Sequence, residues 1–578
     1  MAGVGMALTS TARVPDALRC ESMQRVCLGK AAEFVDGTMQ EVNIGPEGSK
    51  AAVLVHRHAG TFYATSPSCS HYGAPLRKGV TSSGDKGGPP TISCPLHDAT
   101  FDLKTGQVVR GPGLDGIAAY SVEVDRDGML YARVPASVVA GQKHAVVVKK
   151  MVSRDPKDKR VFALIGGGPA ALAAAETLRQ EGYGGRIVMV TTEPHLPYDR
   201  VVLSKNLDKT ADALQLRSSD FFEKYDIELL RKSTVNRLDV KGQVVHYRLD
   251  GSNEEKALSY DKVLVAAGGT PRKLSCPGSD FEGIFTLRTA DDAAEIAKVA
   301  RKGQKMVVVG GSFIGMEIAS SLKKRGVEVA VVAMESVPFE RVLGKKVGAS
   351  FARLLQKEGV EWFGSAQVRL FRGNNGKVNG VELEDGEVLP ADAVVVGAGV
   401  VPNTRFMEGV EGVRLDKNGG VVVGPLLSSD VPTLFAAGDV CSFPSPHTGT
   451  QVRIEHWDVA TQQGRVAARN MLEQSTPFTT TPFFWSQILG KNLRFVGHAP
   501  EFLERVIIEG DMSGFEFIAY YTEGDEIRAV ATVNNDPVAV ACAELMRRGE
   551  MPKVSELVLC TVNAEVILQR LQDLCKAK

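Results

Sequence analysis

The chain has 578 residues, enough for about three or four domains, and its 44% hydrophobic and 24% charged content is ordinary for a globular protein. Its 68 basic and 68 acidic residues leave no formal net charge, which argues against a large nucleic-acid or anionic-membrane surface. Nine scattered cysteines argue against a disulfide framework and favour a reducing compartment, and no apolar run approaches the ~18 residues of a membrane helix.

The N-terminal 22 residues carry few structural signals. Arg13 and Arg19 stand among small and hydroxyl residues, and Asp16 is the one acid in the first twenty. This composition fits a tail, which we prefer, or a short transit peptide. The compartment, cytoplasmic or mitochondrial, is therefore left open.

Short apolar runs between glycine and polar turns predict an all-β domain over residues 23–137. Two boxes lie within it, Cys69-Ser70-His71 and Cys94-Pro95-Leu96-His97. Two thiolates and two imidazoles suit a tetrahedral zinc ion, and they also suit an iron–sulfur cluster. The residue types alone leave both metals open.

The order C-x-H then C-x-x-H in a small β domain resembles the Rieske fold, and residues 72–76 and 98–102 strengthen the match. The resemblance implies a 2Fe–2S cluster with Cys69 and Cys94 on one iron and His71 and His97 on the other. Ala74 and Leu96 stand where high-potential members carry a disulfide-forming pair. The resemblance therefore implies a ferredoxin-type cluster near the lower end of the Rieske range, about −150 mV.

A change in composition predicts a linker over residues 138–158, after which an apolar run at 161–165 leads into glycines. This pattern predicts a buried parallel strand, a tight turn and a helix N-terminus. Gly166 permits the turn, Gly168 lets the backbone approach a pyrophosphate, and Ala171 is the small residue of close helix–strand packing. A glycine turn in some other α/β protein is the alternative.

Residues 196–205 resemble the Pro-Tyr-Asp-Arg-Pro-Pro-Leu-Ser-Lys signature of ferredoxin reductases and apoptosis-inducing-factor-like flavoproteins, with two valines replacing the prolines. The resemblance implies that Arg200 and Lys205 contact FAD, the lysine beside the isoalloxazine. Gly268, after a buried strand, lies in the turn that lines the flavin in this family. Glu193 follows the first glycine turn at the distance of a ribose-binding acid, although a solvated loop acid is an equal alternative.

The pattern of a buried strand, a glycine turn and a helix N-terminus occurs twice, since residues 305–315 repeat it with Gly310 and Gly315. Residues 392–402 likewise repeat the stretch at 260–271. Two matched copies are stronger than one fingerprint and predict tandem units for FAD and NAD(P)H. Glu335 is our candidate for the ribose acid of the second unit, and no arginine pair follows it, so we favour NADH over NADPH.

The resemblance also implies a catalytic pair in which Glu317 holds Lys205 near flavin N5, the alternative being a solvated helix glutamate. No cysteine occurs between Cys94 and Cys276, which excludes the redox disulfide that related reductases carry on the helix after the flavin segment.

Residues 433–440 resemble the segment by which the chain returns to the FAD domain. There the family uses the glycine and aspartate, here Gly438 and Asp439, to contact the flavin and its ribityl chain. Residues 453–458 match the next block of the family, and the resemblance implies that Glu455 and His456 border the isoalloxazine. Trp485 matches an aromatic residue near the flavin, although a core role explains it equally well.

The predicted fold is multidomain, with an all-β Rieske domain, two α/β Rossmann-like domains and a C-terminal α+β domain. The domains are 23–137 (Rieske), 159–283 with 403–478 (FAD), 284–402 (NAD(P)H) and 479–578 (C-terminal). We predict an NAD(P)H-dependent FAD oxidoreductase that passes electrons to its own 2Fe–2S cluster and then to an unknown acceptor. An NADH-responsive signalling protein and a reductase serving a separate oxygenase are the alternatives, and homodimer formation is left open.

Overall fold

The computed structural model describes residues 22–84, 88–559 and 562–576, so the predicted tail or transit segment lies almost wholly outside the described residues. The N-terminal unit, residues 22–139, is built of strands and a one-turn helix, α1 (Ala136–Val139). Its strands are β1 (Met23–Lys30), β2 (Met39–Asn43), β3 (Ala52–His58), β4 (Thr61–Thr65), β5 (Val80–Ser82), β6 (Thr91–Ser93), β7 (Thr100–Asp102), β8 (Val108–Arg110), β9 (Ala119–Tyr120), β10 (Val122–Val124) and β11 (Met129–Pro135). They form sheets in the orders β1-β11-β10, β2-β3-β4-β9 and β5-β6-β7-β8.

Residues 140–160, which include most of the predicted linker, contain no helix or strand but are attached to the units on either side. Val147 exchanges backbone hydrogen bonds with Gly116 of the N-terminal unit, and the Val152 amide donates to the Arg179 carbonyl of the next unit. Val147 and Met151 are buried. Residues 140–160 therefore run along the protein surface and are held in place by contacts with both neighbouring units.

The middle of the chain forms two α/β units. The first contains β12 (Val161–Ile165), α2 (Pro169–Gln180), β13 (Arg186–Val190), α3 (Ser219–Lys224), β14 (Ile227–Leu230), β15 (Ser233–Asp239), β16 (Val244–Leu249), β17 (Glu255–Ser259), β18 (Lys262–Val265) and β19 (Gly269–Pro271). The second contains β20 (Ile284–Thr286), α4 (Ala290–Val299), β21 (Lys305–Val309), α5 (Phe313–Lys324), β22 (Glu328–Val332), α6 (Glu340–Lys357), β23 (Glu361–Phe363), β24 (Val368–Asn374), β25 (Lys377–Leu383), β26 (Val388–Pro390), β27 (Ala393–Val396) and β28 (Val400–Pro402). The chain then returns through β29 (Val421–Val422), β30 (Leu434–Ala436), β31 (Cys441–Pro444), β32 (Gln451–Val452) and α7 (Trp457–Met471).

The two units share the order of four parallel strands, β14-β13-β12-β18 in the first and β23-β22-β21-β27 in the second. Their parallel sheets have the orders β14-β13-β12-β18-β30 and β20-β27-β21-β22-β23, and each adds a three-stranded antiparallel sheet, β15-β16-β17 or β24-β25-β26. The strand before each glycine turn, β12 or β21, lies inside its sheet, and β30 pairs in parallel with β18. The returning segment therefore ends at the same carboxyl edge as the first glycine turn, where α/β sheets bind ligands.

The C-terminal unit, residues 483–576, packs helices on an antiparallel sheet of order β33-β34-β37-β36-β35. Its elements are β33 (Phe483–Ile488), β34 (Lys491–Gly497), β35 (Val506–Asp511), β36 (Glu516–Glu523), β37 (Glu526–Val533), α8 (Val538–Arg548), α9 (Val554–Val558) and α10 (Ala564–Lys576). The sheet and the helices packed on it confirm the α+β domain that the sequence predicts here. Within the described part of the chain, no helix is long and apolar enough to cross a membrane.

Candidate redox site

The two cysteine–histidine boxes meet at one end of the N-terminal unit, one in the loop after β4 and the other between β6 and β7. Cys69 and Cys94 are buried, and the pKa of each thiol is shifted mainly by the other thiol, which indicates that the two lie side by side. The Nδ1 atoms of His71 and His97 lie 3.2 Å apart. The fold therefore gathers two sulfur donors on one side and two nitrogen donors on the other.

This donor set fits a two-iron cluster. Burial lowers the pKa of His71 to about 4 and also lowers that of His97, which keeps both imidazoles neutral and able to bind a metal. Among the described residues, no three His, Cys, Asp or Glu side chains are grouped to hold one metal ion. Paired donors suit a Rieske cluster, which takes two protein ligands per iron, better than one tetrahedral zinc ion.

Trp485, on β33 of the C-terminal unit, lies between the boxes and the N-terminus of α7. Its ring centroid is 4.4 Å from that of His97 and 4.7 Å from that of His456, the N-cap residue of α7. His71 is also a neighbour of Trp485, at 6.2 Å. The histidine side of the boxes therefore faces into the protein, against the residues predicted to border the flavin.

The first glycine turn forms a cradle at the N-terminus of α2. Gly166 has a φ of +135°, and a Cβ there would lie 2.2 Å from the Ala266 carbonyl oxygen, so only glycine fits. Gly168 is the N-cap and has open space where a side chain would stand, while Ala171 is fully buried. The uncapped amides of the first turn fit a pyrophosphate group.

The second copy has the same geometry. Gly310 has a φ of +125°, and a Cβ there would lie 2.3 Å from the Gly397 carbonyl oxygen. Gly315 packs against the Gly310 carbonyl oxygen, which a Cβ would approach to 2.1 Å. Glu335, beyond the end of β22, forms a 2.5 Å ion pair with the exposed Arg341. The N-terminus of α5 is therefore built like that of α2.

Lys205 and Glu317 form an ion pair with 2.9 Å between Nζ and Oε2. Glu317 is 4% exposed and accepts hydrogen bonds from the hydroxyls of Ser204 and Ser486, the latter at 2.6 Å. The pair thus joins the segment at 196–205, helix α5 and strand β33. The family resemblance implies this pairing, and its role beside the flavin stays a prediction.

Three further acid–base pairs bring together predicted and unpredicted residues. They are Arg200 with Glu193, Arg288 with Asp439 at 2.9 Å, and Arg453 with Glu455 at 2.5 Å. Gly268 faces Arg288, since a Cβ at Gly268 would lie 2.9 Å from its guanidinium. No motif marks Arg288, whereas Arg453 lies in the same family block as Glu455 and His456, but the sequence analysis gives neither arginine a role.

Two buried donors at this site have no partner among the described residues, Nε of Arg453 and Nε2 of Gln463. The other end of the Gln463 amide accepts a 2.8 Å hydrogen bond from the Gly438 amide. Buried polar atoms are almost always paired, so these donors fit the presence of a polar ligand beside Asp439. FAD, with its ribityl hydroxyls and pyrophosphate, has that chemistry.

The N-terminal unit packs tightly on the flavin side of the chain. Tyr72 stacks on His71 at 3.9 Å, and its hydroxyl donates to the Asp199 carboxylate in the 196–205 segment. Arg217 donates two 2.8 Å hydrogen bonds to Asp115. Arg465 of α7 donates to the backbone carbonyls of Gly111 and Gly113.

A second set of contacts joins the N-terminal unit to α8 around one buried carboxylate, Glu544. It accepts from four side chains, Ser82 at 2.7 Å, Arg110 at 2.5 Å, Arg547 at 3.0 Å and Arg548 at 2.8 Å. Burial acts to raise the pKa of Glu544, but the nearby arginine charges outweigh it and hold the pKa well below its usual range. Glu544 is therefore a stable anion at the centre of the interface.

Comparison with known proteins places this site in a family. The Pyridine nucleotide-disulphide oxidoreductase family matches residues 161–464, the Rieske [2Fe-2S] domain matches residues 24–121, and the Reductase C-terminal family matches residues 483–564. The chain belongs to the pyridine nucleotide-disulphide oxidoreductase family. It is an FAD-dependent NAD(P)H oxidoreductase with a Rieske 2Fe–2S domain, which confirms the predicted fold class, enzyme class and cofactors.

Several relatives of this family are similar over much of the chain. Apoptosis-inducing factor 3 from Homo sapiens is 38% identical over 543 residues, which covers 93% of this chain and 86% of the relative. Rhodocoxin reductase from Rhodococcus erythropolis is 31% identical over 68% of this chain and 91% of its own. The solved putidaredoxin reductase–putidaredoxin complex is 30% identical with a TM-score of 0.67, covering 73% of this chain and all of the matched chain.

Proposed function

We propose that the protein passes electrons from NADH through FAD to the Rieske cluster of the same chain, and from there to an outside acceptor. When bound, FAD supplies hydride acceptance from the nicotinamide, and the 2Fe–2S cluster supplies a one-electron store. The observation that carries the proposal is the position of Trp485, in ring contact with the ligand candidate His97 on one side and with His456 on the other.

Within this proposal the chain binds and orients the two nucleotides. The N-terminus of α2 holds the FAD pyrophosphate, Glu193 and Arg200 hold its ribose end, and Asp439 takes the ribityl chain. The N-terminus of α5 and Glu335 hold NADH. Lys205, fixed by Glu317, places a positive charge where the reduced flavin gains negative charge.

The contacts between the N-terminal unit and the rest of the chain support transfer within one molecule. Asp98 and Glu544 are buried, and Asp115 is half-buried, in ion pairs across the interface, so separation of the units would expose charges that are now paired. Electron transfer then needs no encounter with a second protein, and its rate should not depend on protein concentration.

An anaerobic NADH titration followed by absorbance and low-temperature EPR tests the proposal. We expect the flavin to bleach and the Rieske EPR signal to grow with a first-order rate that is the same at every protein concentration. Trp485→Phe should slow growth of the EPR signal and leave flavin bleaching unchanged. A bleached flavin beside a lasting oxidised cluster would overturn the relay and favour the NADH-responsive signalling alternative.

The outside acceptor is proposed from the relatives. Several are named as reductases of ferredoxin, rubredoxin or rhodocoxin, which are small electron-transfer proteins. We therefore propose a small redox protein as acceptor, tested by NADH-driven reduction of a 2Fe–2S ferredoxin. Homodimer formation stays a prediction that light scattering would test.

A further inference from the structure

A buried arginine of the C-terminal unit lies beside the predicted cluster site. Arg494 is directly opposite Trp485 in the β33–β34 pair, and directly opposed residues place their side chains on the same face of a sheet. Because Trp485 contacts His97 on that face, Arg494 belongs to the wall that the C-terminal unit presents to the two boxes.

The charge of Arg494 is poorly compensated. The residue is 4% exposed, and its guanidinium donates to the neighbouring Leu493 carbonyl at 3.0 Å and to the Asp536 carboxylate at 3.4 Å. Its Nε has no partner within the described ranges. Buried cations are normally paired and fully hydrogen-bonded, so a further negative charge is expected nearby.

The electrostatics of the site point towards the boxes. Burial lowers the pKa of Arg494, while the charges of Asp536 and Cys94 raise it. Arg494 therefore lies close enough to the second box for its charge to act on Cys94.

The charge of a Rieske cluster depends on its redox state. Two ferric ions, two sulfides, two thiolates and two neutral imidazoles sum to zero, and one added electron makes the cluster singly negative without breaking a bond. Only the reduced cluster is therefore attracted to a neighbouring cation. We infer that Arg494 stabilises the reduced Rieske cluster and raises its reduction potential, so that packing of the N-terminal unit on the C-terminal unit makes the cluster a better electron acceptor.

This inference rests on the packed arrangement used in the proposed function, but its test does not need NADH. The test is an equilibrium redox titration of the full-length holoprotein with dithionite and mediators, read by the Rieske EPR signal. We expect Arg494→Gln to lower the equilibrium constant for cluster reduction about tenfold, or about 59 mV for a one-electron couple. Arg494→Lys should retain most of the wild-type potential.

Two further variants make the test decisive. Asp536→Asn removes the carboxylate beside Arg494 and should raise the potential, the opposite direction from Arg494→Gln. Arg505→Gln removes an exposed cation of the same unit and should leave the potential unchanged. A wild-type potential in Arg494→Gln would overturn the inference. If Arg494→Gln assembles no cluster, Asp536→Asn decides the question. A cluster reduction potential in Asp536→Asn that is equal to or below the wild-type value would then overturn the inference.

Discussion

Asp98 and Arg547 form a 2.8 Å ion pair in which the two side chains are only 6% and 9% exposed. Asp98 follows His97 in the chain, whereas Arg547 lies on α8 of the C-terminal unit. The pair therefore attaches the second cysteine–histidine box directly to the C-terminal unit. Removal of one partner from a buried ion pair typically costs about 3–5 kcal/mol, because the other charge is left buried and unpaired.

We predict that Arg547→Met loosens the N-terminal unit. The melting temperature should fall, and protease cleavage within residues 140–160 should become faster, because Asp98 loses its partner. The double variant Asp98→Asn/Arg547→Met should recover part of the lost melting temperature, because neither charge of the Asp98–Arg547 pair is then left buried without its partner. Arg570→Met, which breaks a half-exposed pair with Glu556, is the matched control and should cost less than about 1 kcal/mol. Equal melting temperatures for Arg547→Met and the wild type would contradict the prediction.

A second prediction concerns Glu317. Glu317→Gln removes the negative charge that holds Lys205 and should slow flavin reduction by NADH about tenfold, a barrier increase of about 1.4 kcal/mol. The amide can still bond to Ser204 and Ser486, so FAD content should stay at the wild-type level. Anaerobic stopped-flow absorbance measures the rate, with Glu328→Gln on an exposed position of the same unit as control. Unchanged flavin reduction would exclude a role for the pair in hydride transfer.

Local patterns account for what the sequence predicts well. The glycine turns at Gly166 and Gly310 are readable because a buried strand, a glycine and a helix follow one another directly. The interface between the N-terminal and C-terminal units cannot be predicted from local patterns of this kind. Asp98 and Arg547 are 449 positions apart, and neither belongs to a repeating pattern. The contact depends on how whole units pack, which hydrophobic periodicity does not encode, and the same is true of Arg288 and Arg494.

The third prediction tests nucleotide choice at Glu335. If this acid holds the ribose hydroxyls of NADH, Glu335→Gln should raise KM for NADH about tenfold with little change in kcat, since it removes binding shared by ground and transition states. The variant should also accept NADPH better, because a 2′-phosphate no longer meets a carboxylate and Arg341 is released from its ion pair. Steady-state kinetics with both nucleotides measure the ratio of kcat/KM for NADH to kcat/KM for NADPH. Glu361→Gln, at an exposed position of β23, is the control. If Glu335→Gln has the wild-type ratio of kcat/KM values for NADH and NADPH, Glu335 does not bind the ribose of NADH.

Asp458, in the first turn of α7, is a buried carboxyl group at the interface between the N-terminal and FAD-binding units. Burial, with a smaller contribution from Asp98, raises its pKa to about 7, and the nearby Arg465, Gln462 and Arg547 only partly offset this rise. In the folded protein Asp458 therefore keeps its proton up to near-neutral pH, while in the unfolded chain it loses the proton near pH 4.

This difference predicts how stability changes with pH. Because the folded-state pKa is the higher one, the stabilising contribution of Asp458 is fully present below about pH 4 and is lost as the pH rises through about 7. Asp458→Asn cannot titrate but can still bond to Gln462, so its melting temperature should gain on the wild type between pH 4 and 7. Expressed as free energy of unfolding, the advantage of Asp458→Asn over the wild type grows by up to about 1.4 kcal/mol per pH unit in this range and levels off at higher pH. Asp385→Asn, on an exposed turn, controls for loss of a surface carboxylate. A difference between Asp458→Asn and wild type that stays constant from pH 4 to 8 would mean that Asp458 is already ionised in the folded protein.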